Sequence, residues 1–123
     1  MKSKCLLYIV SFLSCLFSSC NKDNYGFAEK VSFTSKGGEF ILVGAKYVQT
    51  LIIEDYDGLG DSSQNTLDDE EISASYLWLT AKTKPFSQTI SLIAEPNDSG
   101  NSRTLYVRAT IGNSHAEIEV IQE

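Results

Sequence analysis

Eight carboxylates crowd one stretch of this chain, Glu54 to Glu71, and they are the first residues whose spacing could do chemistry. No lysine or arginine occurs from Tyr47 to Ala81 to neutralise them. Asp55-x-Asp57-Gly58-x-Gly60-Asp61 offers the closely spaced oxygens and glycine turns that suit a hard cation such as calcium. An EF-hand register started at Asp55 puts Asp57 third and Gly60 sixth. It fails at the fifth position, Leu59, and at the twelfth, Thr66, where a bidentate Glu belongs. The expectation is therefore a long, solvated acidic loop without metal, with Asp55, Asp57 and Asp61 as the ligands if calcium did bind. The run Asp68-Asp69-Glu70-Glu71 raises glycoside hydrolysis, but that reaction needs two carboxyls held apart in a rigid cleft. His115 has no Ser or Cys nucleophile motif near it. A non-catalytic chain without cofactors is expected.

Binding rather than catalysis then falls to the aromatics. Tyr56, Tyr76 and Tyr106 are candidates for stacking on a sugar, with acidic neighbours to accept hydrogen bonds from its hydroxyls. Trp78 could do the same, but a lone Trp in a small β domain more often fills the core. Arg103 could hold a ligand carboxylate. Its expected role is to anchor its own loop, through Glu95 or backbone carbonyls beside Gly100, which tolerates positive φ.

Cys20 carries a different chemistry. Lys2 and Lys4 precede an apolar core from Leu6 to Phe17, and the small residues Ser18 and Ser19 lead into the cysteine. Charge, apolar run and small-residue cut site in that order make an export signal. The 12 apolar-core residues fall short of a spanning helix, which needs about 20. Leu16-Phe17-Ser18-Ser19-Cys20 resembles a bacterial lipobox, with Phe17 where Leu is usual. That resemblance implies that Cys20 becomes the lipidated first residue and ties the protein to a membrane. Lys22-Asp23 resembles in part the signal that sends some lipoproteins to the outer face, so the outer membrane is the expected location. The division is a signal over 1–19, a tether over 20–29 and one domain over 30–123.

Composition narrows the rest. All 16 Asp and Glu follow the signal, whereas two of the 10 basic residues lie within it, so the exported part is strongly acidic. Such a surface repels phosphate backbones, and nucleic acid is excluded as a partner. Cys5 and Cys15 lie in the signal and Cys20 is taken by the lipid. The domain must then hold together by packing, without a disulfide.

The elements that would position these residues are strands. Lys30–Thr34, Glu39–Val43, Tyr47–Ile53, Tyr76–Thr80 and Gln88–Glu95 are rich in β-branched and aromatic residues, with turn residues between them. No window holds a helical period, and the turn spacing is that of an all-β sandwich. The last hairpin can be registered. Gly112-Asn113 makes a type II′ turn that puts Ala109 opposite Ala116, Val107 opposite Ile118 and Leu105 opposite Val120. On the other face Arg108 meets Glu117, Tyr106 meets Glu119 and, at the turn end, Thr110 meets His115.

Trp78, then Asn97-x-x-Gly100-x-x-Arg103, then an alternating hairpin ending Val120-Ile121-Gln122 resembles the BACON domain (Bacteroidetes-associated carbohydrate-binding, often N-terminal). Val31-Ser32-Phe33 with Gly37-Gly38 fits that family's opening strands. The resemblance spans about residues 30–122 and implies an immunoglobulin-like β-sandwich of about seven strands. It implies glycan binding or a spacer role, and names no binding residues. The acidic stretch 54–71 departs from it, since such domains have a short connection there. The two resulting expectations are a cell-surface module for glycan or glycoprotein, and a structural or interaction subunit that contacts a surface protein by its acidic loop or a sheet edge.

Overall fold

The computed structural model describes residues 24–63 and 71–123. Among them the chain is all-β, nine strands in two facing sheets. In chain order these are β1 (Lys30–Phe33), β2 (Gly38–Val43), β3 (Thr50–Glu54), β4 (Gly60–Ser62), β5 (Ile72–Tyr76), β6 (Leu79–Thr83), β7 (Thr89–Ala94), β8 (Arg103–Ile111) and β9 (Ser114–Gln122). One sheet runs β1-β9-β8-β3-β4, with β1 parallel to β9, and the other runs β2-β7-β6-β5. The count exceeds the expected seven because two expected elements divide or gain a partner.

Period-2 alternation builds the core between the sheets. Leu105, Val107 and Ala109 of β8 face inward with Ala116, Ile118 and Val120 of β9. Leu51 and Ile53 join them from β3, and Ile90 and Leu92 oppose them from β7; each of these residues is at most 1% exposed. The β8–β9 register is the one read from the sequence, residue for residue. Gly112 takes φ 60 at the first central position of the turn, as a type II′ turn demands.

Tyr76–Thr80 is not one strand. Leu77-Trp78 is a two-residue turn between β5 and β6, closed by the pairing of Tyr76 with Leu79. Leu77 sits at φ 53 with its side chain exposed. Runs of apolar residues read as strand in sequence, and nothing polar in Tyr-Leu-Trp-Leu announces the reversal. Tyr47–Gln49 likewise lies ahead of β3 in an irregular connection.

The stretch after Glu54 is not simply a loop either. Gly60–Ser62 returns along β3, with Gly60 opposite Glu54 and Ser62 opposite Ile52. Glycine is required at position 60, because a Cβ there would lie 1.7 Å from the Ile53 carbonyl oxygen. Gln64 to Glu70, including Asp68 and Asp69, lie outside the described residues, as do Cys20 and the expected signal.

Packing also reaches back before Lys30. Phe27 is buried, and the Asn24 side chain imitates a strand neighbour for β9. Its Nδ2 donates to the Glu117 carbonyl at 3.0 Å, and its Oδ1 accepts from the Glu117 N–H at 2.9 Å. Residues expected to belong to a tether are thus bound to the sandwich. Asn24, a polar residue in a polar stretch, gives no sequence sign of burial.

Candidate functional site

The motif residues Trp78, Asn97, Arg103 and Gln122 form a structural cluster at one end of the sandwich. Trp78 is 6% exposed and Gln122 is fully buried. Gln122 Nε2 donates to the carbonyls of Thr34 at 3.1 Å and Glu95 at 2.8 Å. Its Oε1 accepts from Arg103 Nε at 2.8 Å. The same guanidinium donates through Nη2 to the Glu95 and Pro96 carbonyls and lies 4.8 Å above the Trp78 ring. Asn97 Nδ2 bonds the Asn101 and Glu123 carbonyls. Arg103 therefore anchors its loop through backbone carbonyls, including that of Glu95. Every polar atom named here has a protein partner, and the cluster joins β1, β7, β8 and β9.

The sequence-predicted aromatic residues are dispersed. Tyr56 is 88% exposed in the β3–β4 turn. Tyr76, half-buried at the end of β5, packs against the core. Tyr106 is half-buried on the outer face of the larger sheet, where it lines a shallow groove of about 220 Å³ with Asn24, Glu29, Glu117 and Glu119. Among the described residues no two of these rings are in contact.

The acidic turn is committed to its own geometry. Asp55 Oδ1 accepts from the N–H groups of Asp57 at 2.9 Å and Leu59 at 3.0 Å, an Asx-type cap on the turn. Desolvation first, and then the Asp55 carboxylate, push the Tyr76 phenol above its ordinary pKa of 10.0. Asp61 reaches the other sheet, its Oδ2 accepting from the Ser75 N–H at 3.1 Å. Among the described residues Asp55, Asp57 and Asp61 do not gather into a metal-sized group. His115 is an exposed strand residue opposite Thr110, 4.0 Å from Glu117.

A different pair of rings is brought together at the opposite end of the sandwich. Tyr47, 43% exposed, and Phe86, 79% exposed, stand with centroids 5.4 Å apart and planes tilted by 57°. Tyr47 divides two open grooves. One, about 450 Å³, is lined by Tyr25, Lys46, Gln49, Gln88 and Ile111 among others; the other, about 190 Å³, lies between Gln49, Ile72, Pro85 and Phe86.

The backbone at Phe86 is unusual. Lys84-Pro85-Phe86-Ser87 is a tight turn closed by the Ser87 N–H on the Lys84 carbonyl at 3.0 Å. Phe86 has φ 65 at the third position, where a turn with Pro second normally places Gly or Asn. A bulky residue there stores about 1–3 kcal/mol of strain, and this ring is mostly exposed, so burial does not offset it. Tyr25, which lines the larger groove, also has positive φ, 56. Sequence reading assigned Tyr47 to a strand and passed over Phe86. The available signal was an aromatic directly after Lys-Thr-Lys-Pro, in a turn where it could not be buried.

A further groove of about 480 Å³ lies on the outer face of the smaller sheet, lined by Glu39, Ile41, Glu71, Lys82 and Lys84 with serines and threonines. It has charge of both signs and no aromatic ring.

No protein-family model matches the chain, and no curated protein matches it. Among solved structures, an NMR structure of a protein from Bacteroides thetaiotaomicron is similar to it with a TM-score of 0.48 and 15% sequence identity, covering 89% of this chain and 97% of that one.

Proposed function

We propose that this chain is a lipid-anchored, non-catalytic module of the cell envelope that binds glycan at the Tyr47–Phe86 end of its sandwich. The observation that carries the reading is Phe86. A large ring is held outward on a strained turn, beside a second exposed ring, where neither gains full burial. Strain that serves no packing is characteristic of binding surfaces. Sugar rings present C–H faces that suit aromatic stacking, and their hydroxyls suit the amides of Gln49 and Gln88 on the groove walls. Among the described residues that line these two grooves Lys46 is the one charged side chain, which suits a neutral or acidic saccharide.

The test is an oligosaccharide array probed with the full chain in detergent. Tyr47→Ala and Phe86→Ala are expected to lose at least about tenfold in binding, or about 1.4 kcal/mol, with thermal midpoints close to that of the unaltered chain. Absence of any bound saccharide, or binding that neither substitution alters, would defeat the reading.

Anchoring is separately testable. The lipobox resemblance at Leu16–Cys20 assigns membrane attachment to Cys20. Cys20→Ala is expected to move the protein from the membrane fraction to the soluble one and to abolish palmitate labelling. Retention in the membrane with labelling unchanged would show that another feature holds it there.

A further inference from the structure

We infer that the open edge of β2 pairs with the β2 edge of a second copy of this chain, joining the two smaller sheets into one. The inference goes beyond glycan binding and does not depend on it.

β2 ends the β2-β7-β6-β5 sheet, so among the described residues one side of its backbone has no strand neighbour. Which residues are affected follows from the β2–β7 ladder. The Gly44 N–H bonds the Gln88 carbonyl at 2.8 Å, and residues in an antiparallel ladder alternate in direction. Leu42 and Phe40 therefore bond β7, opposite Ile90 and Leu92, while Glu39, Ile41 and Val43 aim their N–H and C=O groups outward.

The other edges are blunted. β1 has four residues and carries Lys30, paired with Glu119. β4 has three, and β5 has the Ser75 N–H taken by Asp61. β2 is six residues long, without Lys, Arg or Pro, and leaves Ile41 59% and Val43 65% exposed. An open edge whose one charge is Glu39 and whose remaining side chains are apolar is a template for another strand, and it is the feature soluble proteins usually guard against.

A second β2 is the strand that fits. Faces match in an antiparallel pair when the paired residue numbers sum to an even value. The outward backbone groups of 39, 41 and 43 are all used when Ile41 sits on the two-fold axis, facing Ile41 of the other copy, with Glu39 opposite Val43 on either side. Each of these pairs exchanges two hydrogen bonds. On the outer face Ile41 and Val43 of both copies then form one apolar stripe, and no like charges stand opposite each other. On the inner face Phe40 meets Leu42 of the other copy. This accounts for an anomaly of the single chain: Phe40 shares the inward face of Leu42, yet is 45% exposed against 3%. The arrangement is isologous and closed, so it stops at a dimer.

Disulfide trapping tests the register. Residues facing each other across a two-fold axis lie about 5.5 Å apart at Cα, within reach of a disulfide. Purified full-length chain carrying Ile41→Cys, treated with a mild oxidant, is expected to yield a product of twice the chain mass. The unaltered chain, which has its own N-terminal cysteines, and Ser62→Cys on the other sheet are expected to give far less. Independently, the amides of Glu39, Ile41 and Val43 in the unaltered chain are expected to exchange about tenfold or more slowly as concentration rises. That slowing should vanish in Ile41→Lys, which places two ammonium groups face to face. Cross-linking of Ile41→Cys no greater than that of Ser62→Cys, or exchange at these amides that is independent of concentration, would overturn the pairing.

Discussion

Trp78→Ala is expected to lower the unfolding free energy by about 3–5 kcal/mol, a large part of the margin of a small domain held without disulfides. The ring is 6% exposed and its removal opens a cavity between the β5–β6 turn and the Arg103 guanidinium. The adjoining backbone cannot easily collapse into it, because the Glu95 N–H is bound to the Trp78 carbonyl at 2.9 Å. Urea unfolding followed by circular dichroism measures the loss. A drop of less than about 1 kcal/mol would show that Trp78 is not a core residue. Trp78→Phe should recover part of the loss, since it restores an aromatic face beneath Arg103.

Gln122→Leu is expected to cost about 3 kcal/mol although it keeps the side-chain volume and increases hydrophobicity. Leucine cannot donate to the Thr34 and Glu95 carbonyls, nor accept from Arg103 Nε. Each buried partner left unsatisfied costs about 1–3 kcal/mol, and more where the partner is charged. Arg103 retains the Glu95 and Pro96 carbonyls, which limits the total. A double-mutant cycle with Arg103→Met should then give a coupling above about 0.5 kcal/mol. A hydrophobic gain from Gln122→Leu would mean that the amide network contributes no net stability.

The β8–β9 hairpin was legible because its information is local. Gly112 sets the turn, and the two-residue period then places every side chain on a face, with apolar residues opposite apolar and Arg108 opposite Glu117. The same two-residue period puts Ile90, Leu92 and Ala94 on one face of β7, which the fold turns inward. The β5–β6 turn was hidden because Leu77 and Trp78 are poor turn residues, and the reversal is held by the burial of Trp78 under Arg103. The β3–β4 return was hidden by its acidity. Asp55 reads as solvated charge, whereas in the fold it caps the turn that brings Gly60 back beside β3.

The candidate site divides in the same way. Tyr56, Tyr76 and Tyr106 drew attention as aromatics among acids, but their positions on a turn, a strand end and an outer sheet face keep the rings apart. Tyr47 and Phe86 are separated by β3, β4, β5 and β6 in sequence and meet only because the loops before β3 and before β7 emerge at the same end.

By itself the amino-acid order determined strandedness and the final hairpin register, since each follows from neighbours a few residues apart, and composition set the excess of acidic over basic residues. Which rings share a surface, which strand is left as an open edge and which polar residues are buried were decided by the tertiary structure. Those properties depend on how two sheets are ordered and stacked, and the two-residue period of a strand says which face a side chain takes without saying what lies opposite it.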